Sequence, residues 1–255
     1  MAESDGKLAL VTGASRGIGM EFARELRRGG FHVTLVARGE AQLRELTREL
    51  GAATAIAADL ADPGAPRRIF ESAGAVDVLV NNAGFGLGGA FAELPLEQEL
   101  EMIQVNVGAL TALTKLFLRP MIERQRGAIV NLASTAAFQP GPLMAVYYAT
   151  KAYVLSFSEA LADELRGTGV TVTALCPGPT ATGFAARAGL EGSRLFHLTS
   201  PMSSAEVARF GYAAMQRGRR VAIPGIGNKL LVEAVRLSPR RVVTAIVRKL
   251  QEQRQ

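Results

Sequence analysis

Tyr147 and Lys151 stand four residues apart in a stretch with helical patterning, so a phenol and an ammonium share one helix face. A free phenol ionises near pH ~10, too high for proton exchange at neutral pH. An adjacent ammonium favours the phenolate and is expected to pull that value down. Tyr-x-x-x-Lys is therefore a way to build an acid–base group that works near pH 7. The pattern alone is common on surface helices. It gains weight because Thr12-Gly13-Ala14-Ser15-Arg16-Gly17-Ile18-Gly19 forms a glycine-rich turn directly after an apolar run. A phosphate cradle at one end and a tuned phenol in the middle point to nicotinamide-dependent carbonyl/alcohol chemistry.

The cradle follows from Gly13, Gly17 and Gly19, which close a first strand and open a first helix. A helix N-terminus offers free N–H groups and the positive end of its dipole to a pyrophosphate. The spacing is G-x-x-x-G-x-G, not the G-x-G-x-x-G of ordinary dinucleotide folds. NAD-binding sheets place an acid at the end of the second strand to hold the ribose 2′-hydroxyl. Here the strand ends Leu35-Val36-Ala37-Arg38-Gly39, with a guanidinium in that place. Arg38, with Arg16 from the loop, suits a 2′-phosphate through charge-assisted bonds, so NADP(H) is the expected cofactor. A solvated loop arginine is the rival reading of Arg38 alone. Glu40 reads as a first-turn acid of the second helix.

These groups need a frame. Strands are expected at Leu8–Thr12, His32–Ala37, Thr54–Ala58, Val76–Asn81, Ala128–Ala133, Val170–Cys176 and Arg220–Ile223. Helical patterns lie near 17–29, 40–50, 64–74, 96–124, 147–166 and 205–217. Alternation of strand and helix implies right-handed crossovers. The fold class is therefore α/β, a Rossmann-type doubly wound parallel sheet of about seven strands in a single domain spanning 1–255.

Composition bounds the rest. Apolar residues make up 48% of 255 residues, enough for a sizeable core, and no run reaches the length of a membrane span. Met1–Lys7 is short and polar, unlike a secretory leader, and Cys176 is the one cysteine, so a reducing cytoplasm is expected. Two histidines and no Cys/His spacing leave no expected metal site. The net charge of +6 admits an anionic partner. Most arginines are spread over several helices, so solvated basic helices are the simpler reading and no nucleic-acid partner is expected.

In order along 7–225, these residues resemble the short-chain dehydrogenase/reductase family. Thr12–Gly19 looks like its cofactor loop, Asp59-Leu60 its adenine contact, and Asn81-Asn82-Ala83-Gly84 the motif beside the cofactor. Asn106, Ser134, Tyr147 and Lys151 resemble its catalytic tetrad. Pro177-Gly178-Pro179-Thr180-Ala181-Thr182 is similar to its nicotinamide-carboxamide loop. Tyr148 and Tyr153 also flank Lys151, but only Tyr147 stands four residues before it. Ala133-Ser134 departs from the family's frequent serine pair and keeps the catalytic one. The resemblance implies that Ser134 and Tyr147 donate to the substrate carbonyl oxygen. It implies that Tyr147 and Lys151 both contact the cofactor, with Lys151 tuning Tyr147 and holding the nicotinamide ribose. It also implies that Asn106 opens its helix and holds a water leading to Lys151, although a mid-helix Asn can simply bond its own backbone.

The family closes over substrate with the segment at about 183–204, which here includes Phe184, Leu190, Leu195, Phe196, Leu198 and Met202. Arg187, Arg194 and His197 are its polar members, and His197 reads as structural. Phe138, Leu143 and Met144 would line the opposite wall. An apolar ketone or secondary alcohol, acyl, lipid or steroid-like, is the expected substrate. Asn228–Leu237 and Val242–Leu250 read as two amphipathic helices split by Pro239, in a basic extension at about 226–255. Packing on the sheet edge or on another subunit is favoured for this tail over contact with an anionic membrane surface. The resemblance implies a homodimer or homotetramer built on helices 96–124 and 147–166. A catalytically inactive nucleotide-sensing or scaffold protein is the competing reading, which loss of Tyr147 or Lys151 would have favoured. The isomerases and dehydratases of the extended relatives carry a larger substrate domain than the 30 residues after 225 provide for.

Overall fold

The computed structural model describes residues 6–189 and 201–252. The expectations placed on Leu190, Arg194, Leu195, Phe196, His197 and Leu198 lie outside the described residues.

The chain enters through β1 (Leu8–Thr12), α1 (Gly17–Arg28), β2 (His32–Ala37), α2 (Glu40–Leu50) and β3 (Ala53–Ala57). It continues through α3 (Ala65–Ala73), β4 (Val78–Asn81), α4 (Leu96–Ile103), α5 (Leu110–Glu123) and β5 (Gly127–Leu132). Next come α6 (Ala145–Glu164), β6 (Val170–Leu175), β7 (Thr180–Ala181), α7 (Phe184–Arg187) and β8 (Met202–Ser203). It closes with α8 (Ser204–Gln216), β9 (Val221–Ala222), α9 (Ile226–Leu237) and α10 (Arg240–Gln251). Seven strands form one sheet in the order β3-β2-β1-β4-β5-β6-β9, every pair parallel. β7 and β8 make a separate two-stranded ribbon.

Successive strand residues point to opposite faces, and both faces are covered. From β1, Leu10 joins the layer holding Ile69 of α3 and Leu113 and Phe117 of α5. Ala9 and Val11 join the layer holding Phe22 and Leu26 of α1, Leu43 of α2 and Val207 of α8. The central strand β4 is buried throughout, whereas the edge strand β3 is mostly exposed, which its alanines tolerate.

Strand ends shift by a residue or two from expectation, and the last strand shortens to Val221–Ala222. The single helix expected over 96–124 is interrupted. Its hydrogen-bond ladder widens into a π turn over Gln104–Ala109, centred on Asn106. The sheet order also reverses between β1 and β4, which opens a crevice at the carboxyl ends of the strands. The C-terminal helices turn back over this crevice. Val243 and Val247 of α10 join the cluster that contains Tyr147 and Tyr148. Among the described residues, no helix is long and apolar enough to cross a membrane.

Candidate active site

The carboxyl ends of β1, β4, β5 and β6 open into a cavity of about 1000 Å³. At its cofactor end the glycine turn is locked to β4 by Thr12. The Thr12 hydroxyl accepts from the Asn82 and Ala83 N–H groups, both at 3.0 Å, and donates to the Val80 carbonyl at 3.3 Å. The Asn82 amide returns bonds to the Thr12 and Gly13 carbonyls at 2.9 and 3.2 Å. Gly13 sits at φ +65°, and a Cβ there would fall 2.8 Å from Asn82 Nδ2 and 2.9 Å from the Ala83 backbone. Only glycine fits both demands.

α1 begins at Gly17 with no side-chain cap and no acid in its first turn. Its leading N–H groups and dipole are therefore available to an anion. Ser15, Arg16, Gly17 and Ile18 line the cavity beside it, as do Arg38, Asp59 and Leu60. Arg38 lies 3.8 Å from Asp59 and 3.9 Å from Glu101. Arg187 stacks its guanidinium over the Phe85 ring at 4.3 Å. Burial lowers the Arg187 pKa, and the nearby charges of Arg38 and Arg16 lower it further. Arg16, Arg38 and Arg187 therefore gather at this end beside the carboxylates of Asp59 and Glu101, which act on Arg187 in the opposite sense.

The chemical end is built on β5 and α6. Ser134 follows β5 and caps the short 3-10 turn Thr135–Phe138, accepting from the Ala136 N–H at 3.1 Å. Its hydroxyl donates to the Pro177 carbonyl at 3.4 Å. Tyr147 is 9% exposed and packs at 5.2 Å between ring centroids against Phe184. Lys151 donates to the Leu132 carbonyl at 2.7 Å, and its ammonium lies 5.8 Å from the centre of the Tyr147 ring.

Burial works against the expected tuning of this pair. Burial pushes the Tyr147 phenol well above its ordinary value, with the Ser134 hydroxyl pulling it back in part. Lys151 is itself pushed down to about 8 by burial. The two groups share a desolvated pocket that disfavours both charges. The Lys151 ammonium is engaged with the Leu132 carbonyl and is not the main influence on the phenol.

Asn106 and Gly19 support the cavity from behind instead of lining it. The Asn106 amide accepts from the Phe85 N–H at 3.0 Å and donates to the Phe85 carbonyl at 2.9 Å and the Thr150 hydroxyl at 3.1 Å. It fixes the loop after β4 through backbone and hydroxyl partners. Gly19 sits beneath the loop, where a Cβ would fall 2.3 Å from Asn82 Nδ2. Asn82, Ala83, Gly84, Pro177, Gly178, Thr180 and Thr182 complete the lining between the two ends. Among the described residues, no group of His, Cys, Asp or Glu could hold a metal ion.

The roles of Thr114, Asn131 and Gln251 escaped the sequence reading, which had named Asn81. A buried polar chain runs from Asn81, which donates to Thr114 at 3.0 Å and to Asn131 at 2.9 Å, through Asn131 to Ser158 at 2.9 Å. Its signal was a polar residue inside the apolar run Ile129-Val130-Asn131-Leu132. Gln251 of α10, only 3% exposed, donates to the Tyr148 hydroxyl at 2.8 Å. No local signal marks it, because its partner lies 103 positions away.

Residues 7–191 match the family model for short chain dehydrogenases. The chain is 40% identical over 178 residues to a very-long-chain 3-oxoacyl-CoA reductase of Laccaria bicolor, covering 66% of this chain and 53% of the relative. It is 34% identical over 214 residues to the ketoacyl reductase HetN of Nostoc sp., covering 80% of this chain and 75% of the relative. A solved short-chain dehydrogenase from Sphingobium yanoikuyae in complex with NADPH superposes with a TM-score of 0.83 at 32% identity, over 90% of this chain and 92% of that one. The glycine loop, the parallel sheet and these matches agree: the chain belongs to the short-chain dehydrogenase family of oxidoreductases.

Proposed function

We propose that this protein is an NADP(H)-dependent reductase of an apolar ketone, acting in either direction between ketone and secondary alcohol. The observation that carries the reading is the meeting of Ser134, Tyr147 and Lys151 at one end of a cavity whose other end gathers Arg16, Arg38 and Arg187. The bound nicotinamide would supply or accept the hydride. The leading N–H groups of α1 would hold the pyrophosphate, Arg16 and Arg38 the 2′-phosphate, and Asp59 and Leu60 would flank the adenine. Pro177, Gly178, Thr180 and Thr182 would orient the carboxamide, and Lys151 the adjoining ribose. The NADPH complex of the Sphingobium yanoikuyae relative supports this choice of cofactor.

On the substrate side, the Ser134 hydroxyl and Tyr147 phenol would both donate to the carbonyl oxygen, stabilising the charge that grows there. Tyr147 is protonated at neutral pH and would act as the acid in the direction of reduction; because burial raises its pKa, the basicity of the forming alkoxide would have to draw the proton across. Its proton then passes to the oxygen, and Lys151, close behind it, is the group through which the proton is replaced. Asn106 positions this relay by holding Phe85 and Thr150.

The substrate wall is apolar. Met144, Phe184, Leu231, Val235, Val243, Ile246, Val247 and Leu250 all line the cavity. An acyl-chain ketone fits that wall, and the names of the Laccaria bicolor and Nostoc relatives point the same way. In this reading α7 covers the substrate on one side, and 226–252 closes the far side. The exposed Leu96, Leu100 and Ile103 on α4 and Tyr153 on α6 suit self-association into a dimer or tetramer.

A panel of ketones assayed for oxidation of NADPH and NADH tests the proposal. Turnover of medium- and long-chain 3-oxoacyl thioesters with NADPH is expected. Consumption of neither cofactor with any ketone would contradict it, as would a preference for NADH.

A further inference from the structure

α9 and α10 have two faces. Val232 of α9 and Val243, Val247 and Gln251 of α10 are buried against the domain. The opposite side holds Ile226 at 77% exposure and Leu237 at 88%, with Leu230 and Val242 also exposed. Leu231 and Ile246 are about half exposed and also line the cavity, so this apolar surface is continuous with the cavity mouth. Monomeric proteins seldom leave so many large aliphatic side chains together in water.

The same 27 residues, 226–252, carry six basic side chains, Lys229, Arg236, Arg240, Arg241, Arg248 and Lys249, against two acids, Glu233 and Glu252. Most of the chain's net charge of +6 is therefore concentrated here. Arg236 pairs with Glu233 and Arg248 with Glu252. Arg240, Arg241 and Lys249 form no ion pair among the described residues.

We propose that α9 and α10 dock the cavity mouth on an anionic lipid surface. The arginines and lysines would sit among the headgroups, and Ile226, Leu230, Leu237 and Val242 would enter the upper acyl region. An amphipathic helix with an apolar face and basic flanks takes this orientation at an interface. Charge decides against a second copy of the chain, because two-fold pairing would set one strongly positive face on another. The aliphatic residues decide against a purely acidic protein partner, since ion pairing would leave them in water. Delivery of a lipid-borne ketone straight into the cavity follows, and that part rests on the apolar-substrate reading above.

The test is cosedimentation of the full-length protein with vesicles, which requires no turnover. Equimolar phosphatidylglycerol and phosphatidylcholine should pellet the protein at low salt, phosphatidylcholine alone should not, and added salt should release it. Arg240→Glu/Arg241→Glu should weaken the partition roughly tenfold or more. Leu237→Ser/Val242→Ser should also weaken it, and both double variants should still reduce a short, water-soluble ketone at the parental rate. Failure to pellet with the anionic vesicles would overturn the proposal, as would binding indifferent to both double variants. Light scattering that shows Leu237→Ser/Val242→Ser splitting an oligomer would overturn it as well, assigning the face to a second copy. Vesicle binding without reduction of any ketone would instead refute the activity and leave the docking surface standing.

Discussion

The two ends of the cavity are built in opposite ways. The cofactor end is made largely of backbone: the glycine turn, the first N–H groups of α1 and the Thr12–Asn82 bonds that clamp β1 to β4. The substrate end is made of side chains from α6, α7, α9 and α10, held by contacts such as Gln251 to Tyr148 across 103 positions. A backbone cradle tolerates almost no change of residue at its tightest points, yet it accepts any ligand with the right phosphates. A side-chain wall can be rebuilt one residue at a time, which changes the substrate and leaves the chemistry in place. One family can therefore keep its cofactor end and vary its specificity.

Substitutions at each end can break or sharpen that contrast. Gly13→Ala should have the largest effect on the fold, because it combines a φ of +65° with a Cβ 2.9 Å from the Ala83 backbone. A loss of at least ~2 kcal/mol in urea unfolding is expected, together with loss of NADPH binding. Tyr148→Phe, at the other end, leaves the buried Gln251 amide without its phenol partner. A cost of about 1–3 kcal/mol is expected, with KM raised more than kcat is lowered, since the change loosens α10 and spares Tyr147. If Tyr148→Phe abolished cofactor binding, the two ends would not be separable.

Arg38→Asp tests the charged part of the cofactor end. NADPH affinity should fall roughly tenfold or more in fluorescence titration while NADH affinity holds or rises. The unfolding midpoint should barely move, because the Arg38 contacts to Asp59 and Glu101 are long and solvent-exposed.

The smallest effect is in stability against pH. Lys151 holds its proton up to about 8 when folded and up to its ordinary 10.5 when unfolded. Between those values the unfolded chain binds the extra proton, so stability rises with pH. Cys176, pushed up to about 12 by burial from 9.0, acts in the opposite sense above pH 9, where only the unfolded thiol ionises. Tyr147, raised from 10.0, adds to that fall above pH 10. Thermal melts of the cofactor-free protein should therefore improve from pH 8 to 9 by at most about 1.4 kcal/mol, level off, then decline. Lys151→Met should remove the rise and keep the decline.

The same contrast decides what the sequence could reveal. Local features were legible: glycines at fixed spacing, Arg38 where a strand ends, Tyr147 four residues before Lys151, and the apolar runs that became β1, β2 and β4. Asn131 was legible in principle, as a polar residue in a buried strand, because such a residue needs a partner. Gln251 and Arg187 were not, since their roles depend on where α10 and α7 come to rest. Nor could sequence spacing weigh burial against charge. Four residues on a helix place Lys151 beside Tyr147, but the depth of the pocket determines that the phenol's pKa rises.

The central claim is that Tyr147 is the acid and that the cofactor site survives loss of its hydroxyl. Single-turnover reduction of a 3-oxoacyl thioester by Tyr147→Phe, with NADPH affinity titrated in the same preparation, tests it most directly. The predicted result is a rate lowered by ~10²–10⁴-fold with the affinity for NADPH unchanged. A folded Tyr147→Phe protein that reduces the substrate at the parental rate would contradict it.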